Sequence, residues 1–250
     1  MGGPASAPNA NDGHLRITYD EIHVTIGQTA QRIKEQFDPD IMVAIGGGGF
    51  FPARVLRTFL KRVSTADGKR RNIPIQAIGL SLYEEVGEVD GDAANGGLAM
   101  EEKLGKEVIR TQWLDFSTLG SRPLIGRRIL IVDEVDDSRT TLGYAVAELK
   151  KDIQAQFDKL SDEKKAELPE TKLGIFVVHN KLKEKRAEIP QDVSYFSGAD
   201  IPDVWVDYPW EQEDILLHNE VAAKQRAMGQ TLEAVSSRNG TPRSGSPSTA

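Results

Sequence analysis

The sequence predicts an α/β fold: a mainly parallel central sheet flanked by helices. Three observations carry this. Apolar runs of strand length recur at IMVAI (41–45), IPIQAIGLSL (73–82), IGRRILIVDEV (125–135) and GIFVVHN (174–180). Most are continuous rather than alternating, as strands buried on both faces are. Segments of helical spacing lie between them, the rhythm of βαβ units.

In chain order, residues 1–13, MGGPASAPNANDG, are small, polar and rich in Pro and Gly, and are predicted to be a disordered N-terminal tail. Thr18 suits an N-cap for a helix carrying Tyr19, Ile22, Ile26, Ala30, Ile33 and Phe37 at intervals of three and four. Asp38-Pro39 ends it. The strand 41–45 runs into GGGG (46–49), and FPARVLRTFLKR (51–62) follows with helical spacing, Pro52 being tolerable in a first turn. After the strand 73–82, the stretch 83–107 is long, acidic and Gly-rich, and reads as a surface loop of lid length. TTLGYAVAELKKDIQAQF (140–157) is a helix, and the charged DKLSDEKKAELPETK after it is a solvated helix without chemistry. Residues 226–250 are predicted to be a C-terminal tail, leaving 14–225 as the folded domain. The Ser-Pro pair at Ser246 reads as a solvated tail rather than a modification site. No internal repeat is present.

Composition bounds the function. In 250 residues, 39% hydrophobic content can build a sizeable core. The absence of cysteine excludes disulfides and thiolate metal sites. No N-terminal apolar stretch resembles a signal peptide or membrane span, so a cytoplasmic location without a membrane partner is expected. A formal charge of −7 argues against nucleic acid as a partner. The four histidines, His14, His23, His179 and His218, have no ligand spacing.

Ligands of open parallel sheets bind beyond the carboxyl ends of strands, where two stretches stand out. GGGG allows a backbone to approach a phosphate closely, or is simply a flexible turn; it matches neither the dinucleotide fingerprint nor the P-loop. The second is DEVDDSRTT (133–141), in which Asp133, Glu134, Asp136 and Asp137 crowd the end of a buried strand. Successive amides and three hydroxyls at the following helix start suit a monophosphate, and adjacent carboxylates suit a ribose diol. A capped helix start with solvated acids is the plainer alternative.

These residues resemble the purine phosphoribosyltransferases. The likeness extends to the fungal-type 6-oxopurine enzymes, hypoxanthine-guanine and xanthine phosphoribosyltransferases, through IGGGGFFPARVLRTFL, IGLSLYEE, VIRTQWLDF, LIVDEVDDSRTTL, IFVVHNK and PDVWVDYPWE, over about residues 15–218. The resemblance implies the type I phosphoribosyltransferase fold, with a small hood built from the C-terminal part at about 181–218. It implies transfer of phosphoribose from phosphoribosyl pyrophosphate to a 6-oxopurine base, giving a purine nucleoside monophosphate, with Mg2+ as cofactor and a homodimer or homotetramer as the assembly.

By the same resemblance, Asp137 handles the proton at purine N7, and Asp133 and Glu134 hold the ribose hydroxyls and the metal region. Asp137, Ser138, Arg139, Thr140 and Thr141 hold the 5-phosphate. Ile45, Gly46 and Gly47 form the pyrophosphate loop, where the family uses a non-proline cis peptide. Ser81 and Tyr83 begin the mobile loop; Lys181, Trp205 and the Val206 backbone read the purine; Glu211 is the nearest carboxylate to a second metal ligand. Taken without the resemblance, Trp205 reads as a core aromatic, Lys181 as a surface cation beside Lys183, Lys185 and Arg186, and Tyr83 as a hydrophobic anchor. Arg139 occupies a phosphate-loop position where many members of the family have glycine, and no basic residue precedes Gly47, where some members place a lysine. A non-catalytic regulator of the same fold is the alternative function. A dinucleotide-dependent oxidoreductase is excluded by the missing glycine spacing.

Overall fold

The computed structural model describes residues 10–63, 68–83, 107–114 and 124–230. The elements in order are β1 (His14–Arg16), α1 (Tyr19–Gln36), β2 (Ile41–Gly46), α2 (Phe50–Phe59), β3 (Arg62–Val63), β4 (Arg70–Arg71), β5 (Ile75–Tyr83), β6 (Glu107–Gln112), β7 (Arg128–Asp136), α3 (Thr140–Asp158), α4 (Asp162–Glu167), β8 (Lys172–Lys181), β9 (Ser194–Ile201), β10 (Trp205–Asp207), a 3-10 turn at Pro209–Glu211 and α5 (Ile215–Ala227). The lid expected at 83–107 lies outside the described residues between 84 and 106, as do residues 1–9 and 231–250.

The expected α/β fold is present. The central sheet has the order β6-β5-β2-β7-β8-β9, parallel throughout except for the antiparallel pair β5–β6. Its middle strand shows why the apolar runs do not alternate. Leu130 and Val132 of β7 enter a core shared with α1 and α2, while Ile129 and Ile131 enter another shared with α3. Burying such a side chain fully contributes roughly 1.5–3 kcal/mol, so a polar residue on either face would cost stability.

Thr18 caps α1 as expected. Its hydroxyl accepts from the Glu21 amide while the Glu21 carboxylate accepts from the Thr18 amide at 2.8 Å, a reciprocal pair that satisfies two orphan donors. α2 is shorter than its periodicity suggests. It stops at Phe59 because Arg62 turns away to bond Asp40 at 2.7 Å and the carbonyls of Asp38 and Pro39. α4 buries no residue, as a solvated helix should.

Two regions differ from the sequence-based expectation. β10, within the segment 181–218 expected to form a hood, pairs with β1 in a two-stranded sheet, which brings the start of the domain onto its end. The folded chain also passes the boundary drawn at 225. Arg226 in α5 donates to both Glu21 carboxylate oxygens, at 2.6 and 2.9 Å, and to the Arg16 carbonyl. Gln225, fully buried, bonds the backbone of His14 and Arg16. Among the described residues no helix is long and apolar enough to cross a membrane.

His179, fully buried in β8, shares a hydrogen bond of 2.8 Å between Nδ1 and the Tyr208 hydroxyl. Burial pushes its pKa down to about 4. The unfolded imidazole, titrating near 6.5, therefore takes up its proton first, and stability present above that pH is lost as pH falls toward 4. The loss attributable to this group is about 3 kcal/mol. Denaturant unfolding at about pH 7 and about pH 5 should show a smaller acid loss in His179→Gln than in the parent; identical losses would remove His179 as the cause.

Candidate functional site

β2 and β7 are neighbours whose connections leave in opposite directions. α2 packs into the core on one face of the sheet and α3 into the core on the other. Their carboxyl ends therefore part to form the crevice in which open α/β sheets bind ligands.

On the β2 side lies the glycine loop, where the Gly46–Gly47 peptide is cis. A Cβ added at Gly48 would overlap the Glu134 carboxylate, and one at Gly49 would overlap the Val132 carbonyl and lie 2.6 Å from that of Ile45. Gly47 faces open space. Gly48 and Gly49 thus let the loop close on β7, while Gly47 presents bare backbone to the crevice.

On the β7 side each acid has a different environment. The Asp133 carboxylate accepts from the Glu134 amide at 2.9 Å; burial, reinforced by the charge of Glu134, pushes its pKa well above the usual carboxylate range. Glu134 accepts from the Trp210 indole at 2.8 Å, and its carbonyl accepts from Tyr208. Asp136, fully buried, accepts from the Tyr195 hydroxyl at 2.7 Å and from Arg139 Nε at 2.9 Å. Asp137 meets Lys183 at 2.7 Å and Lys181 at 3.3 Å. Burial works to raise the Asp137 pKa, but the two lysines outweigh it and hold the carboxyl below its ordinary value.

The loop after β7 leads into α3. Ser138 Oγ and Thr140 Oγ1 are 3.0 Å apart, and Thr140 and Thr141 open the helix. Arg139 takes a left-handed φ of 68°, a conformation that glycine adopts without strain. Its guanidinium turns back onto Asp136 and lies 5.3 Å from the Tyr195 ring centroid, so its side chain is not a free phosphate ligand.

A cavity of about 450 Å³ joins Glu134, Asp137, Lys181, Trp205, Val206 and Glu211. Six of the residues singled out in the sequence therefore share one wall or rim. Trp205, 41% exposed, is not the core aromatic that its surroundings in sequence suggest, and Lys181 is buried rather than a surface cation. Ser81 and Tyr83 end β5 opposite Ile109 and Glu107. Among the described residues no three Asp, Glu, His or Cys side chains converge to hold a metal, so Glu211 does not join Asp133 and Glu134 in one ligand cluster. Mg2+ fits such a site only in its usual manner, through one or two carboxylates with the remaining ligands from phosphates and water.

Sequence reasoning missed Lys183, Lys185, Tyr195, Tyr208 and Trp210. The lysine spacing at 181, 183 and 185, two residues apart and continuing from a strand, was a signal for the first two. Trp210 lies in the quoted stretch PDVWVDYPWE without a role assigned to it, and its ring stacks on Phe51 at 5.3 Å and on Tyr208 at 4.9 Å.

The chain is 51% identical over 213 residues to the hypoxanthine-guanine phosphoribosyltransferase of Schizosaccharomyces pombe, covering 84% of this chain and 95% of that protein. It is 45% identical over 226 residues to xanthine phosphoribosyltransferase 1 of Saccharomyces cerevisiae, covering 86% and 98%. Among solved structures it is similar to a hypothetical protein from Neisseria gonorrhoeae with bound ppGpp, at 34% identity and TM-score 0.62 over 84% of this chain and 96% of that one. It also shares the fold of a purine phosphoribosyltransferase from Pyrococcus horikoshii, at 20% identity and TM-score 0.52 over 81% and 97%. No family model matches the chain.

The two inner glycines should separate folding from activity. Gly49→Ala meets backbone on two sides and should cost about 1–3 kcal/mol, read as a lowered thermal midpoint. Gly48→Ala meets only the end of Glu134, so it should fold normally while losing roughly tenfold or more of nucleotide-forming activity. Equal thermal loss in both would mean that the Gly48 contact is structural.

Proposed function

The chain belongs to the fungal hypoxanthine-guanine and xanthine phosphoribosyltransferases, pentosyltransferases of purine salvage, and we propose how its own residues carry that reaction. A purine nitrogen bonds to carbon 1 of phosphoribosyl pyrophosphate as the bond to pyrophosphate breaks, leaving a nucleoside 5-monophosphate. Positive charge builds on the ribose between these events. Asp133 and Glu134 lie where carboxylates would receive the ribose hydroxyls, and hydrogen bonds from a diol would relieve the pair's mutual repulsion. When bound with the donor, Mg2+ supplies positive charge to the departing pyrophosphate. The Gly46–Gly47 backbone would receive that group, and the loop Asp137–Thr141 the 5-phosphate.

The single observation that carries the reading is the Lys181–Asp137 pair on the wall of the cavity. The 6-oxo group and N7 are neighbours on one purine edge, an acceptor beside a proton-bearing nitrogen. A lysine donor beside a carboxylate acceptor matches that edge, and does not match the amino group of adenine. Trp205 would stack on the base from the rim, with Val206 at its exocyclic edge. The purine nucleotide named in the Neisseria structure combines the same two chemistries, a purine and phosphates. Nothing in the comparisons supports the non-catalytic regulator. The homodimer or homotetramer and the Mg2+ requirement are carried by family membership.

Steady-state nucleotide formation with hypoxanthine, guanine, xanthine and adenine in parallel tests the activity. Turnover of one or more 6-oxopurines without adenine is expected; equal use of adenine would contradict the Lys181–Asp137 assignment. The acid-base role has its own test. Lys183 helps to keep Asp137 ionised, so Lys183→Met should move the acid limb of kcat/KM to higher pH. An unmoved limb would detach Asp137 from the ionisation that controls the rate.

A further inference from the structure

We propose that Lys185 and Arg139, joined through the buried Asp136, are positioning residues that set the orientation of the 5-phosphate loop. The inference rests on the reading that residues 137–141 hold that phosphate.

Three consecutive loop carbonyls are held from one side. Lys185 Nζ donates to the Asp136 carbonyl at 2.6 Å and to the Asp137 carbonyl at 2.9 Å, and the Arg186 amide donates to the Ser138 carbonyl at 2.9 Å. In a planar trans peptide the C=O and N–H point in opposite directions. Fixing these three carbonyls toward 185–186 therefore turns the amides of Asp137, Ser138 and Arg139 the other way. The next carbonyl, of Arg139, accepts from Gly143 within α3. The loop is thereby set as a row of donors before any ligand arrives, the preorganisation that anion binding needs.

The lysine is itself held in place. Its Nζ lies 3.5 Å from the Asp136 carboxylate, whose other oxygen takes Arg139 Nη2 at 2.8 Å and the Tyr195 hydroxyl. Burial pulls the Lys185 pKa down, and the Asp136 charge opposes that. Arg139 does two things: it occupies the left-handed position and it shares the neutralisation of Asp136, so that Lys185 can spend two donors on carbonyls. The segment is seated against α3, since a Cβ added at Gly143 would lie 2.8 Å from Ala187 Cβ.

The test measures KM for phosphoribosyl pyrophosphate, KM for the purine, kcat and the thermal midpoint in Lys185→Met, Lys185→Arg, Arg139→Gly and Ser138→Ala. Lys185→Met removes both carbonyl contacts and should raise the donor KM roughly tenfold or more while the purine KM stays within about twofold. Lys185→Arg, able to donate to two acceptors, should recover most of that loss. Arg139→Gly accepts the left-handed φ, keeps the fold if the lysine variant does not, and should also raise the donor KM because Asp136 draws Lys185 from the carbonyls. An unchanged donor KM, or equal rises in both KM values with a lower thermal midpoint, overturns the positioning role. Ser138→Ala separates the two readings. If its donor KM is unaltered the loop is not the phosphate site; if it rises while the Lys185 variants do not change, only the positioning inference fails.

Discussion

The crowding of negative charge at the end of β7 is the constraint around which the site is assembled. Four carboxylates within five residues leave one buried strand, and three of them are answered from other elements. Asp137 is met by Lys181 at the end of β8 and by Lys183 just after it, and Asp136 by Arg139 at the N-cap of α3 and by Tyr195 of β9. Glu134 is met by the 3-10 turn, and Asp133 only by the next amide. Fixed cations thus hold Asp136 and Asp137 in place at the start of the loop that follows β7.

The partners of these acids also tie the subsites together. Trp210 holds Glu134 through its indole while its ring stacks between Phe51, in the first turn of the helix after the glycine loop, and Tyr208, which follows β10. Tyr208 reaches on to His179 and the Glu134 carbonyl. A single aromatic stack thus connects the start of α2, Glu134 of β7 and the segment after β10. Stacked rings and a shared hydrogen bond resist relative displacement, so these three segments keep a common frame.

β1 and β10 are separated by most of the chain yet pair directly, and α5 holds β1 through Gln225 and Arg226. His14 lies 3.1 Å from Asp207 and 6.0 Å from the Trp205 ring centroid. The position of Trp205 therefore depends on residues near the start of the domain.

The sequence by itself determined the sheet, because strands buried on both faces must be continuously apolar and the helices between them must be amphipathic. It also marked the glycine and acid loops, since only bare backbone, hydroxyls and paired carboxylates at strand ends suit a phosphorylated sugar, and the quoted motifs then pointed to the family. It did not reveal β1, too short for a period to register, or β9, whose SYFSGADI is half polar because an edge strand has one side open. Tertiary structure alone decided which charges meet. The spacing of Lys183 and Lys185 after Lys181 hints at a role, but which acids they meet is decided only when β8 carries them across the mouth of β7, and Trp210 finds Glu134 only once the turn after β10 packs there. Pairings of this kind depend on the direction in which distant segments leave the sheet, and no local pattern of residues encodes that.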